Sequence, residues 1–161
     1  MDRTLEIYNM AGHLIRRLNQ ISTSVFHERM KANGFEMTSI QFAALNAISA
    51  HPGIDQATLA GRIAYDRTTI GGVVDRLESK GYITRVVSKK DRRAREVSLT
   101  PEGQAALGRL TPVVRALQPD ILAGLSEDER AQFLALAAKA AAAGNEQSRA
   151  PLVASGKDGG R

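Results

Sequence analysis

The chain has 161 residues, 43% hydrophobic and 24% charged, with no cysteine and a formal net charge of +5. That length suits one domain, or a small domain with extra helices for self-association; the lack of cysteine excludes disulfides, thiolate zinc sites and thiol redox sensing by this chain. Met1-Asp2-Arg3-Thr4-Leu5-Glu6 lacks the apolar core of a signal peptide and no 18-residue apolar run follows, so a cytoplasmic protein with no membrane partner is expected.

Leu5, Tyr8, Ala11, Leu14, Ile15, Leu18, Ile21 and Val25 recur at helical spacing without proline, which predicts one long helix from Leu5 to about Lys31, ended near Asn33-Gly34. Thr38 and Gln41 have capping-box spacing for a second helix through Phe42, Leu45 and Ile48, stopped before His51-Pro52-Gly53. Asp55 is placed to cap a short helix carrying Leu59 and Ile63. Asp66 is placed to cap another running to Lys80, with Gly81 at its C′ position. Tyr82–Val87 and Arg95–Leu99 are rich in β-branched residues and flank a polar turn, which predicts a two-stranded hairpin. Thr100-Pro101-Glu102 opens a helix to about Gly124 that Pro112 and Pro119 should kink or interrupt. Ser126 and Glu129 form a second capping box, for an Ala-rich helix to about Ala143, and the small, polar stretch from Gly144 is expected to be disordered.

The expected fold is therefore mainly α with a small β-hairpin. Residues 38–100 form a compact helix-turn-helix unit with the hairpin as its wing. Residues 1–37 and 101–143 supply flanking helices, and 144–161 a tail. A lone helix of this length cannot bury its own apolar stripe. Packing the first helix on the last two, and repeating that surface across a two-fold axis, predicts a homodimer.

Charge singles out the middle unit. Residues 62–95 hold ten Lys/Arg and four Asp/Glu, a net +6, so the rest of the chain sums to −1. A cation excess confined to one stretch is the footprint of a polyanion. A helix-turn-helix sets its second helix in the DNA major groove, and a basic hairpin beside it reaches phosphates or the minor groove. Arg67, Thr68 and Thr69, in the first turn of that second helix, offer hydrogen bonds to phosphates and base edges; the plainer alternative is ordinary first-turn polar residues. Gly71 and Gly72 cost a helix roughly 1 kcal/mol each relative to Ala. Either they let the helix settle deeper in a groove, or they allow close packing on a neighbouring helix. Lys89, Lys90, Arg92, Arg93 and Arg95 crowd the wing tip, where a basic loop is otherwise a solvated turn; Asp91 is placed to pair with Arg93 or cap that turn.

Asp91-Arg92-Arg93-Ala94-Arg95-Glu96-Val97-Ser98-Leu99-Thr100-Pro101-Glu102-Gly103 resembles the wing-to-helix signature of MarR-type transcription regulators. Val74-Asp75-Arg76-Leu77-Glu78-Ser79-Lys80-Gly81-Tyr82-Ile83 is similar to that family's recognition-helix exit. The resemblance spans roughly Leu5 to Ala143. It implies a homodimeric winged-helix repressor whose terminal helices form the dimer interface, on a pseudo-palindromic operator in double-stranded DNA. It also implies that Arg93 enters the minor groove and that Thr68 and Thr69 read bases. Release by a small phenolic or aromatic carboxylate effector, bound between the dimer helices and the winged-helix unit, is implied too. The branch of the family that senses peroxide through cysteine is excluded, since this chain has none.

For such an effector, His13, Arg16, Arg17 and Gln20 lie at i, i+3, i+4 and i+7 of the first helix, on one face. Arginine suits bidentate carboxylate recognition, and the family's aromatic-acid sensors resemble this chain in an Arg-Arg pair here. Tyr65, just ahead of the recognition helix, is placed to line the same cleft. Exposed polar residues or interhelix ion pairs are the plainer reading. Catalysis is not expected: His13, His27 and His51 are scattered without metal-ligand spacing, no glycine-rich loop follows a strand, and no G-x-S-x-G is present. No cofactor is called for. A second hypothesis is an effector-independent architectural protein that coats or bends DNA, which would bind different sequences nearly equally.

Overall fold

Side-chain caps fix where four helices begin. Thr38, Asp55, Thr100 and Ser126 each accept a hydrogen bond from the backbone amide three residues on, and Gln41 and Glu129 complete reciprocal capping boxes. The computed structural model describes residues 5–154. After a single 3-10 turn, Glu6–Asn9, come α1 (Ala11–Ala32), α2 (Ser39–Ala50), β1 (Ile54–Asp55), α3 (Gln56–Arg62), α4 (Ile70–Ser79), β2 (Ile83–Val87), β3 (Arg95–Leu99), α5 (Pro101–Ile121) and α6 (Glu127–Ala143). A last 3-10 turn covers Asn145–Gln147.

The core gathers Leu45 and Ile48 of α2, Leu59 of α3, Val74 and Leu77 of α4, Ile83 of β2 and Val97 of β3, all essentially inaccessible to water. Phe26 and Met30 of α1 and Leu107, Leu110 and Leu117 of α5 extend it, so those two helices pack together over the winged-helix unit. Arg29 and Asp120 pair across that contact. The unit is joined to α5 almost without slack. Gly81, at φ +76°, turns the chain out of α4 as the C′ residue. The Thr100 hydroxyl then donates to the Gly81 carbonyl, and the Thr100 amide to that of Tyr82. A Cβ at Gly103 would lie 1.9 Å from the Tyr82 carbonyl oxygen, so only glycine fits there.

The structure departs from the expectations at six places. The first helix is not continuous from Leu5: Met10 is extended (φ −86°, ψ 133°) and separates the 3-10 turn from α1. Residues 5–12 are exposed, so no contact with the core holds a helix together there. The hairpin is part of a three-stranded antiparallel sheet, ordered β1-β3-β2, in which Ile54 faces Val97. The helix expected from Asp66 starts at Ile70; residues 67–69 form a turn instead. Pro112 and Pro119 do not interrupt α5, whose core-facing Leu110, Val114, Leu117 and Ile121 run past both. α6 has no buried residue, so it is not packed on the first helix within one chain. Finally, the stretch from Gly144 is ordered as far as it is described, with Val153 donating to the Gly61 carbonyl at 2.8 Å; residues 155–161 lie outside the described residues.

Candidate nucleic-acid interface

Asp66 organises the turn that leads into α4. One carboxylate oxygen, Oδ1, accepts from the Thr68 amide at 2.9 Å and from the Thr68 hydroxyl at 2.8 Å. The Asp66 carbonyl accepts from the amides of Thr69 and Ile70 and from the Thr69 hydroxyl. The Thr68 amide above all, with the Arg149 guanidinium and the Thr68 hydroxyl, holds the Asp66 carboxyl down to about 2. Arg67, Thr68 and Thr69 are thereby exposed on a fixed turn. This alters their chemistry. Both threonine hydroxyl protons point back into the turn, so outward they offer lone pairs and methyl groups rather than donors. Such groups match the amino groups of adenine and cytosine and the thymine methyl.

Ser88 does similar work at the wing. Its side chain is buried, and its hydroxyl accepts from the amides of Lys90 and Asp91. Asp91 caps the turn by accepting from the Arg93 amide at 2.9 Å, rather than pairing with the Arg93 guanidinium. Lys89, Lys90, Arg92, Arg93 and Arg95 are all exposed, and none enters an ion pair among the described residues. Unneutralised cations held on an ordered loop are what a phosphate backbone selects.

The turn and the wing face one another. A cleft of about 640 Å³ runs between them, lined by Arg67 and Ile70 on one side and by Lys90, Arg93 and Arg95 on the other, with Gln56 and Ala57 of α3 as its floor. Arg85, on β2, braces this geometry from behind. Its guanidinium donates to Glu78 at 3.0 Å and to Asp75 at 2.8 Å on α4, and to Gln56 at 3.2 Å on α3. The bond to Glu78 chiefly, against partial burial, raises the affinity of Arg85 for its proton. Asp55 caps α3 beside the cleft; burial opposes its ionisation, but hydrogen bonds from Thr58 outweigh that and hold its carboxyl below the ordinary range. Neither Gly71 nor Gly72 has a neighbour that a Cβ would meet, so close helix packing does not account for them.

The residues expected to hold an effector are only partly brought together. On α1, Arg16 lies 3.3 Å from the His13 ring nitrogen Nδ1, and Arg16, Arg17 and Gln20 are exposed, with no ion pair among the described residues. Tyr8 stacks obliquely on His13, ring centroids 5.7 Å apart. Tyr65 instead packs against the core of the winged-helix unit, and no hydrogen bond joins it to the α1 cluster. None of the five lines the cleft described above. Ser88 and Arg85 were not singled out by the sequence, and Asp66 only as a helix cap; the Asp-x-Thr spacing of 66–68 and the Ser-x-x-Asp spacing of 88–91 are the signals that point to the turns at Asp66 and Ser88. Among the described residues no cluster of His, Asp or Glu is placed to hold a metal, and no helix is long and apolar enough to cross a membrane.

Helix-turn-helix, wing and long flanking helices in this order define a winged-helix transcription regulator. The family model for the MarR family matches residues 35–94. The HTH-type transcriptional repressor NicR of Pseudomonas putida is 33% identical over 134 residues, covering 83% of this chain and 84% of that protein. The PcaV transcriptional regulator of Streptomyces coelicolor, solved in complex with its natural ligand, superposes with a TM-score of 0.76 at 35% identity, over 87% of this chain and 97% of that one. Bordetella bronchiseptica BpsR, whose DNA binding is regulated by 6-hydroxynicotinic acid, superposes at 0.78 with 25% identity, over 86% and 97%. The chain belongs to the MarR family of DNA-binding transcription regulators.

Proposed function

We propose that the protein is a cytoplasmic, homodimeric repressor that binds a pseudo-palindromic operator and leaves it when a small aromatic acid binds. The observation that carries this is the cleft in which Arg67 faces Lys90, Arg93 and Arg95, cations with no ion pair among the described residues, on two independently ordered turns. In this reading the turn 67–69 and α4 enter the major groove, with Gly72 allowing close approach, while Lys89, Lys90, Arg92, Arg93 and Arg95 grip phosphates and the minor groove. α1, α5 and α6 form the dimerisation half. Two heads spaced one turn of B-DNA apart, about 34–36 Å, fit successive major grooves. No reaction is assigned to the chain.

For the effector, His13, Arg16, Arg17 and Gln20 supply hydrogen-bond donors for a carboxylate beside the exposed apolar side chains of Leu14 and Ile15. BpsR, a relative in fold, answers to an aromatic carboxylic acid. Tyr65 enters as the link from that region to α4. Effector binding shifts the population of dimers toward one whose heads are wrongly spaced.

The test is competition binding between a duplex from upstream of the protein's own gene and bulk DNA, with and without 6-hydroxynicotinate or benzoate. Strong preference for the upstream duplex, lost with an aromatic acid, is expected. Equal affinity for both DNAs overturns the repressor reading in favour of an architectural protein. Replacing Arg16 and Arg17 together by Ala is expected to leave DNA binding intact and abolish release; a normal response in that variant removes the effector site.

A further inference from the structure

The chain beyond α6 returns to the DNA-reading end of the molecule. Asn145 folds this segment on itself: its Nδ2 donates to the Leu152 carbonyl at 3.0 Å and its Oδ1 accepts from the Leu152 amide at 2.8 Å. The next residue, Val153, donates its amide to the Gly61 carbonyl of α3 at 2.8 Å. Its side chain lies where a Cβ on Gly61 would be only 3.2 Å away, in a shallow cleft shared with Thr58 and Arg67. Between these anchors Arg149 sends both Nε and Nη2 to a single oxygen of Asp66, at 2.9 and 2.5 Å.

That oxygen is Oδ2. The other, Oδ1, holds the amide and hydroxyl of Thr68. One carboxylate therefore bonds inward to the reading turn and outward to the C-terminal segment, and its rotation is fixed from both sides. An exposed ion pair adds little to global stability, and Arg149 is largely exposed. Its contribution is directional: it fixes the plane of the group that shapes residues 67–69. α6, with no buried residue of its own in the single chain, gains through this segment a second attachment to the winged-helix unit, independent of α5.

We propose that residues 145–153 are a strap that positions the DNA-reading turn, with Arg149 as a positioning residue acting through Asp66 and with α6 as the strap's far anchor. This rests on the reading of residues 67–69 as the base-reading turn. Movement of α6 is then communicated to Thr68 and Thr69 by a short tether as well as through the body of the fold.

The test uses the full chain carrying Arg149→Ala, Arg149→Lys or Val153→Ser, with two readouts. Amide hydrogen exchange without DNA is expected to rise about tenfold at Thr68, Thr69 and Ile70 in the alanine and serine variants, with α2 and α5 unchanged. The preference for the upstream duplex over bulk DNA is expected to fall by about the same factor, with bulk affinity nearly constant. The lysine variant keeps the charge but loses the two-pronged grip, and is expected to exchange like the alanine variant. Unchanged exchange in Arg149→Ala overturns the strap. So does full protection in the lysine variant with a salt slope reduced by about one in the alanine variant, which assigns Arg149 to phosphate contact. Tighter binding of both DNAs overturns it too, since the segment then covers the reading face. If the unaltered protein shows no preference between the DNAs, the base-reading role fails, while the exchange measurement still decides the strap.

Discussion

The winged-helix unit and the flanking helices draw on the same aliphatic residues and meet opposite fates within one chain. Leu45, Ile48, Leu59, Val74, Leu77 and Val97 are fully buried, whereas Ile15 on α1 and Leu134 and Leu136 on α6 are more than 60% exposed. The difference is in partners rather than in composition. The winged-helix unit shares one closed core with the inner faces of α1 and α5, so its apolar side chains are covered from every side. α6 and the start of α1 leave apolar side chains that no other described residue covers. In the proposed dimer these exposed leucine and isoleucine side chains are the ones a second copy would cover.

The largest effect is expected in the enclosed half. Leu77→Ala removes a side chain with 0% exposure and should cost about 2–5 kcal/mol of stability in urea unfolding. A smaller loss would show that the unit relaxes more freely than its packing indicates. In the uncovered half, Leu134→Asp with Leu136→Asp should barely alter the fold of one chain. It should turn the protein into single subunits in sedimentation and weaken operator binding about a hundredfold, near 2.7 kcal/mol. A variant that stays dimeric breaks the comparison. Gly103→Ala places a methyl 1.9 Å from the Tyr82 carbonyl oxygen and should cost about 1–3 kcal/mol, seen as a lowered Tm. Arg93→Ala should weaken operator binding by about 1–2 kcal/mol and lower the salt slope by about one; an unchanged slope argues against the wing's role.

The smallest effect concerns pH. Asp66, held down to about 2, titrates below its ordinary value of 3.8. A depressed folded-state value means that its contribution is complete above 3.8 and disappears as pH falls through about 2. The turn should therefore be insensitive to pH from 4 to 8. A carboxyl titration followed by NMR should give a midpoint near 2, moving upward in Arg149→Ala. An ordinary midpoint in the unaltered protein would mean that the turn is not held as described.

Much of the DNA-reading unit was legible because its signals are local. The caps at Thr38, Asp55 and Thr100, the C′ Gly81 and the hairpin strands each depend on residues a few positions apart. What escaped depends on distant partners. β1 is two residues long and exists only because β3, over forty residues on, pairs with it. The brace at Arg85 needs α3, α4 and β2 already in place, and the attachment of Val153 to Gly61 joins residues more than ninety positions apart. Asp66 was seen as a helix cap, but it closes a turn before the helix, since its side chain reaches Thr68 rather than Thr69 or Ile70. The cationic wing was visible as charge; the buried Ser88 that gives it shape was not, because a single serine carries no periodic pattern. The α1 cluster was visible as spacing; that Tyr65 packs against the core was not, because no local rule decides which way a loop aromatic turns.

The joint at Thr100 makes the molecule a rigid crank. β3 ends at Leu99 and α5 begins at Pro101, so a single residue separates them, and that residue is bonded to the carbonyls of Gly81 and Tyr82. With no hinge there, swinging the shaft must carry the whole head with it. A helix the length of α5 spans roughly 30 Å, so tilting it by ~6° displaces the opposite end by ~3 Å, comparable with the rise of one base pair.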